Sequence, residues 1–144
     1  MRVYRVAPIA LIMFLTLGVA SVFASGSANG YGTPKIGTNF FACLGCGVNG
    51  IMAVSFSALY PNGAPAWLGS NHANLKLCTS WCVSISVTVW QISPEPGYYG
   101  CSFVMPKSLT GTVTIYVTAG SLSDDFGRMF PSVDTPIGTY AYSP

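Results

Sequence analysis

The segment Val83–Trp90 reads VSISVTVW, and apolar side chains alternate along it with hydroxyl-bearing ones, up to a final Trp. Two further segments alternate in the same way, Met52–Ala58 (MAVSFSA) and Thr112–Ala119 (TVTIYVTA). Successive side chains of a β-strand leave opposite faces of a sheet, so this period of two predicts three half-buried strands. The residues expected on their buried faces are Met52, Val54, Phe56 and Ala58; Val83, Ile85, Val87 and Val89; and Val113, Ile115, Val117 and Ala119.

Weaker strand signals and turn signals fill the rest of the chain from residue 36 onward. Turn residues rich in Pro, Gly and Asn separate the strands, and only Ser123–Asp125 has the residues to start a helical turn. Short strands with regular turns predict an all-β, antiparallel sandwich of about seven strands. The weaker strands are predicted at Asn74–Leu77, Tyr98–Met105 and Ile137–Tyr142, with a short one near Ile36–Phe41, and the turns at Tyr60–Pro65, Ser93–Gly97 and Pro106–Gly111.

The first 24 residues have the layout of a secretory signal peptide. Arg2 and Arg5 precede the apolar run Val6–Ala20, and Val22-Phe23-Ala24 fits the small-x-small cleavage rule. We therefore predict a cleaved signal at 1–24, a flexible Gly- and Ser-rich arm at 25–35 and a sandwich at 36–144. The alternative is an uncleaved anchor, because the apolar stretch is just long enough to span a bilayer, and only this alternative predicts membrane association.

The composition excludes several classes of function. Charged residues make up 7% of the chain and hydrophobic residues 51%. Phosphate binding needs clustered Lys and Arg, so we expect no nucleic-acid partner. One His and one Glu leave little material for acid–base chemistry, so we expect no enzyme. Without the signal peptide the formal charge is zero, and a neutral surface lacks the self-repulsion that keeps protein molecules apart.

Four segments resemble prokaryotic extracellular immunoglobulin-like domains. Val54–Pro65 (VSFSALYPNGAP) is similar to their strand and following turn, Gly97–Phe103 to their GxYxxxF strand, Leu109–Ala119 to their penultimate strand and Asp134–Tyr140 to their last strand. The resemblance implies an immunoglobulin-like sandwich and a role in cell-surface stalks, adhesins, or coat and filament subunits. Five cysteines and the insertion at Trp67–Asn74 depart from the family pattern.

The cysteines are Cys43, Cys46, Cys78, Cys82 and Cys101. In an exported protein, disulfides are the expected state, and five cysteines leave one unpaired with the connectivity open. Cys101 alternates with Phe103 and Met105, so we expect it to face the core. The alternative is a metal site, because the two short-spaced pairs supply the four thiolates that zinc or an iron–sulfur centre requires. We favour disulfides and predict no cofactor.

Three acidic residues near the C-terminal end are candidates for a calcium site. Asp124, Asp125 and Asp134 supply carboxylates that a loop can combine with backbone carbonyl oxygens around Ca²⁺. The interpretation that we favour is a solvated turn in which an Asp caps a short helical turn.

The aromatic residues predict an interface. Trp90 and Tyr116 fall on the hydroxyl-bearing faces of their strands, and Tyr and Trp are typical interface residues. Stacking on sugars is the alternative role for such rings. The interface candidates are Trp67, Trp90, Tyr116, Phe40 and Phe41.

Together these features predict a secreted, non-enzymatic structural protein of the cell surface or extracellular space. We expect a subunit of a filament, coat or adhesive layer whose partners are copies of itself or other surface proteins. The arm up to Phe41 is expected to add as a strand to the open sheet edge of a neighbour. The alternative is a monomeric extracellular module that binds sugar through Trp or metal through the cysteine pairs.

Overall fold

The structure, a computed structural model, describes residues 32–37, 42–45, 50–92 and 96–144. Thr33–Pro144 form one compact unit. Its described residues contain ten strands and no helix, which confirms the predicted all-β, antiparallel class. No membrane-spanning helix occurs among the described residues. The strands are β1 Lys35–Gly37, β2 Ala42–Leu44, β3 Ile51–Leu59, β4 His72–Cys78, β5 Cys82–Gln91, β6 Tyr98–Val104, β7 Gly111–Val117, β8 Leu122–Ser123, β9 Met129–Phe130 and β10 Thr135–Tyr142.

Strand β5 connects the two halves of the sandwich. Its first seven residues pair with β4, and its last three pair with β6. One half has the order β1-β3-β6-β5, with β2 also on β3, and the other has the order β5-β4-β7-β10. This order is similar to the A-B-E-D and C-F-G order of immunoglobulin-like sandwiches, with β5 present in both halves. A shared strand order describes a fold and carries no activity with it.

The three alternating segments form β3, β5 and β7 and bury most of the side chains expected. Alternation decides the buried face because a one-residue shift would turn every apolar side chain to solvent. Cys101 faces the core as predicted and is fully buried. The residues buried as predicted are Met52, Val54, Phe56 and Ala58 of β3, Val87 and Val89 of β5, and Val113, Ile115 and Val117 of β7.

Three residues depart from the predicted burial. The prediction for Ala119 is wrong: it is exposed, because β7 ends at Val117 and Gly120 turns the chain with φ 69°. Val83 and Ile85 lie on the predicted face of β5 but are only half-buried. They belong to the part of β5 for which the described residues provide a partner strand on one side only.

The sandwich has two ends, which we name after the two ends of β3. At the Leu59 end lie the segment 60–71 and the loops between β7 and β10, because Leu68 forms a β-bridge with Asp124. At the Ile51 end lies the turn 105–110, because Ile51 pairs with Val104, the last residue of β6. Strand β1 begins opposite Leu59 and runs antiparallel to β3. The chain therefore enters the sandwich at the Leu59 end.

The Cys78–Cys82 disulfide should stabilise the β4–β5 hairpin by a modest amount. Replacing both residues by Ser removes a cross-link between cysteines four positions apart. So short a loop loses little chain entropy on closure, and the free energy of unfolding should fall by about 2 kcal/mol. Urea denaturation followed by Trp fluorescence measures the change. Thr79→Ala in the same turn is the control, and a double variant as stable as the parent would contradict the estimate.

Candidate functional site

The outer edge of β5 carries backbone groups that point away from the sandwich. Val89 donates its N–H to the carbonyl oxygen of Asn71 over 2.7 Å, one step beyond the His72–Thr88 pair. In antiparallel pairs, residues bonded to the partner strand alternate with residues whose N–H and C=O point the other way. The N–H and C=O groups of Ser84, Ser86 and Thr88 therefore face outward from this edge.

Within the part of the chain that the structure describes, no strand pairs with this outer edge of Cys82–Thr88. The segment has no charged residue and no proline. Lysine, proline, bulges and very short strands are the usual means by which proteins protect an exposed edge from another chain. The β5 edge has none of these protections over its seven residues.

The other strands at sheet edges do carry such protections. Strand β10 contains Pro136 and shifts register between Pro136 and Gly138, which is a β-bulge. Strand β1 has three residues, begins with Lys35 and follows Pro34, and β2 also has only three residues. Among the described edges, β5 is the one best suited to accept another strand.

The aromatic candidates lie in different parts of the fold. Trp67 lies at the Leu59 end and is 49% exposed. Trp90 lies on the outer face of the β6 half, where its indole covers Gly100, its partner across β5–β6. Tyr116 is half-buried on the outer face of the other half, opposite Lys76. Phe40 and Phe41 fall outside the described residues. The three described rings therefore form no common platform.

The described cysteines form disulfides or lie buried as thiols. Cys78 and Cys82 are bonded to each other across the hairpin, and Cys43 is also disulfide-bonded. Cys101 is a free thiol in the core. Cys46 falls outside the described residues. A sulfur atom in a disulfide is not the thiolate that binds a metal, so the zinc or iron–sulfur alternative concerns the reduced chain.

The acidic candidates have separate partners. Asp124 lies in the turn between β8 and β9, whereas Asp134 accepts hydrogen bonds from the Lys76 ammonium group and the Ala119 N–H. The hydrogen bond from Lys76 lowers the pKa of Asp134. Asp125 is exposed. Over the described ranges, no three His, Cys, Asp or Glu side chains come together as a metal site.

Asp124 has a role that the sequence did not indicate. The expected solvated turn is not what forms, because Asp124 is 1% exposed. Its carboxylate accepts hydrogen bonds from the Tyr60 hydroxyl (3.0 Å) and from the Arg128 Nε (3.1 Å). Burial and the bond to Asp124 raise the pKa of Tyr60 to about 12. The Arg128 guanidinium also lies 5.6 Å from the centre of the Tyr60 ring.

The backbone of this turn is hydrogen-bonded throughout. The Asp124 carboxylate accepts the N–H groups of Phe126 and Arg128 at 3.1 and 2.8 Å. Asp124 and Gly127 donate their N–H groups within the turn, and Asp125 donates to the carbonyl oxygen of Trp67. Five consecutive amides, 124–128, thus have partners inside the protein.

Gly69 allows the close contact between this turn and the 66–71 segment. A Cβ atom at Gly69 would lie 2.5 Å from the carbonyl oxygen of Asp124, closer than real Cβ contacts come. Gly69 also donates its N–H to Ser123. The insertion noted in the sequence therefore forms a short bridge to β8 and holds Trp67 in place.

Comparison of the chain with protein-family models, with curated proteins and with solved structures finds no match.

Asp124→Asn should destabilise the protein strongly. The amide keeps one acceptor oxygen but places an NH₂ group where the carboxylate met Arg128, leaving the guanidinium without its counter-charge. Arg128 is partly exposed, so we expect a loss of about 2–3 kcal/mol in the free energy of unfolding, measured in urea. Asp134→Asn is the control, because its ion pair is solvated and should contribute much less. Equal effects of the two variants would contradict the role of Asp124.

The Cys101 thiol should be unreactive in the folded protein. Burial raises its pKa to about 12, so almost no thiolate is present at pH 8. Ellman's reagent should not detect Cys101 until guanidinium chloride unfolds the chain. The unfolded Cys101→Ala variant should then yield one thiol fewer per chain than the unfolded parent. Rapid labelling of Cys101 under native conditions would show that the core opens readily at β6.

Proposed function

We propose that this chain is a secreted, non-enzymatic structural protein that forms an extracellular filament, coat or adhesive layer by strand addition between copies. The observation that supports this most is the unprotected outer edge of β5. Ser84, Ser86 and Thr88 direct backbone N–H and C=O groups outward there, and added strands bind through such groups. The absence of charge on the segment removes the repulsion that usually guards an edge.

The donor that we propose is the part of the arm that precedes Lys35. Residues 25–34 read SGSANGYGTP, which contains no charged side chain, and ten extended residues reach about 33 Å. The seven-residue acceptor edge needs about 23 Å at the same rise. Lys35–Gly37 already pair with β3 of their own chain, so the donor is shorter than the segment up to Phe41 that the sequence suggested.

Two further observations support an exported structural protein. The Cys78–Cys82 disulfide fits an oxidising compartment, and the sequence of residues 1–24 fits a signal peptide. The strand order fits the immunoglobulin-like domains that the sequence resembles, whose known roles are in surface stalks, adhesins and filaments. A monomeric sugar- or metal-binding module has less support, because the exposed Trp rings are dispersed and the described hairpin cysteines are bonded to each other.

Ser84→Pro tests the acceptor edge. Proline at this position removes an outward N–H and leaves the bonds to β4 intact, because the Ser84 N–H does not face β4. The chain from Ser25 onward should form polymers, visible by negative-stain electron microscopy and sedimentation velocity. Ser84→Pro should weaken association at least tenfold, which corresponds to about 1.4 kcal/mol per contact.

Ser84→Ala is the matched control, since it loses the same hydroxyl but keeps the N–H group and should polymerise like the parent. Removal of residues 25–31 should abolish polymers and leave a folded monomer, because the described sandwich begins after them. Circular dichroism and thermal melting establish that each variant is folded. Polymers that survive both Ser84→Pro and the deletion would overturn strand addition at β5.

A further inference from the structure

Three large apolar side chains are exposed at the Leu59 end, one on the loop 60–71 and two on the β8–β9 turn and the start of β9. Trp67 is 49% exposed, Phe126 36% and Met129 59%. The Asp125 N–H bonds to the Trp67 carbonyl oxygen, so the two loops that carry these side chains are joined. Exposed apolar groups clustered on one surface typically mark an interaction site.

The loop that presents Phe126 is prepared for contact with another surface. All five amides from Asp124 to Arg128 are hydrogen-bonded within the protein, so covering the loop leaves no N–H of this stretch without a partner. The buried Asp124 carboxylate fixes the turn before any partner arrives, which lowers the entropy lost on binding. The exposed charge on the loop is Asp125, because Asp124 and Arg128 pair with each other.

The Ile51 end offers a surface of matching character. Val104 is 67% exposed at the end of β6, and Lys107 is exposed in the turn that follows. Lys107 is the one charged residue of the described turn 105–110. An exposed apolar side chain three residues from a cation complements the exposed apolar side chains and the carboxylate of the Leu59 end.

We propose that the Leu59 end of one copy docks on the Ile51 end of the next, with Trp67, Phe126 and Met129 covering Val104 and with Asp125 facing Lys107. The two surfaces differ and lie at opposite ends of the sandwich. Such a heterologous contact leaves each new end free, and it builds a linear polymer unless the rotation between copies closes a ring. This inference rests on the proposed function, in that it takes self-assembly as given and adds its axis and a second interface.

The docking also gives the strand addition a direction. The chain enters the sandwich at the Leu59 end, so an arm that reaches the next copy meets that copy's Ile51 end first. Strands β3 and β5 are both antiparallel to β6, so they run in the same direction. Strand β1 is antiparallel to β3 and therefore runs opposite to β5. An arm that continues the line of β1 therefore runs antiparallel to β5 of the next copy, as every strand pair of this fold does.

A charge-reversal cycle tests the end contact in the chain from Ser25 onward. Asp125→Lys and Lys107→Asp should each weaken association about three- to tenfold, because each brings like charges together. The double variant Asp125→Lys/Lys107→Asp restores opposite charges and should recover association to within about twofold of the parent. Sedimentation velocity at 50 and 500 mM NaCl measures this, and salt should reduce the difference between single and double variants.

Trp67→Ser/Phe126→Ser removes the apolar part of the same contact and should weaken association by at least tenfold, with Trp90→Ser as a control of equal exposure on a different face. Melting curves establish that the variants are folded.

Single charge variants that associate like the parent, or a double charge variant that fails to recover, overturn the end contact. If Ser84→Pro abolishes polymers and the charge cycle has no effect, only the end contact is overturned. If the charge cycle has its expected effect and Ser84→Pro polymerises like the parent, only strand addition is overturned. A parent that stays monomeric overturns both.

Discussion

One strand, β5, belongs to both halves of the sandwich, and the rest of the molecule depends on this constraint. A strand that pairs with β4 through its first seven residues and with β6 through its last three lies beside β6 from Val89 onward and not before it. The first seven residues then have no partner on the side that β6 would have occupied, within the described chain. The open edge is thus a consequence of the way in which the two halves are joined.

The same constraint explains the burial along β5. Val87 and Val89 lie at the point where β5 changes its partner strand and are buried, whereas Val83 and Ile85 lie where β4 is the described partner and are half-buried. A sequence whose apolar residues alternate evenly from Val83 to Val89 shows no sign of this difference. Alternation reports which face of a strand is turned inward, and it does not report whether the strand has one neighbour or two.

Local sequence patterns therefore predicted the strands and their buried faces. They did not predict the burial and partners of Asp124, which long-range contacts determine. The period of two placed β3, β5 and β7, and Pro and Gly placed the turns. The role of Asp124 was hidden because its partner Tyr60 lies 64 positions away in the chain. Locally, Asp124-Asp125-Phe126-Gly127 indicates only a turn, and an Asp in a turn is usually solvated. Burial came from the bridge between Leu68 and Asp124, which no local pattern encodes.

Charge is scarce in the described sandwich, and four of its seven charged residues form two ion pairs. Lys76 and Asp134 join β4 to the loop before β10, and Arg128 and Asp124 fix the turn at the Leu59 end. Lys35, Lys107 and Asp125 are then the exposed charges among the described residues outside these two pairs. An edge without charge accepts another chain more readily, and one charge on each side would orient the end contact that we propose. The distribution fits both requirements, because Lys107 and Asp125 lie at opposite ends of the sandwich and β5 carries no charge at all.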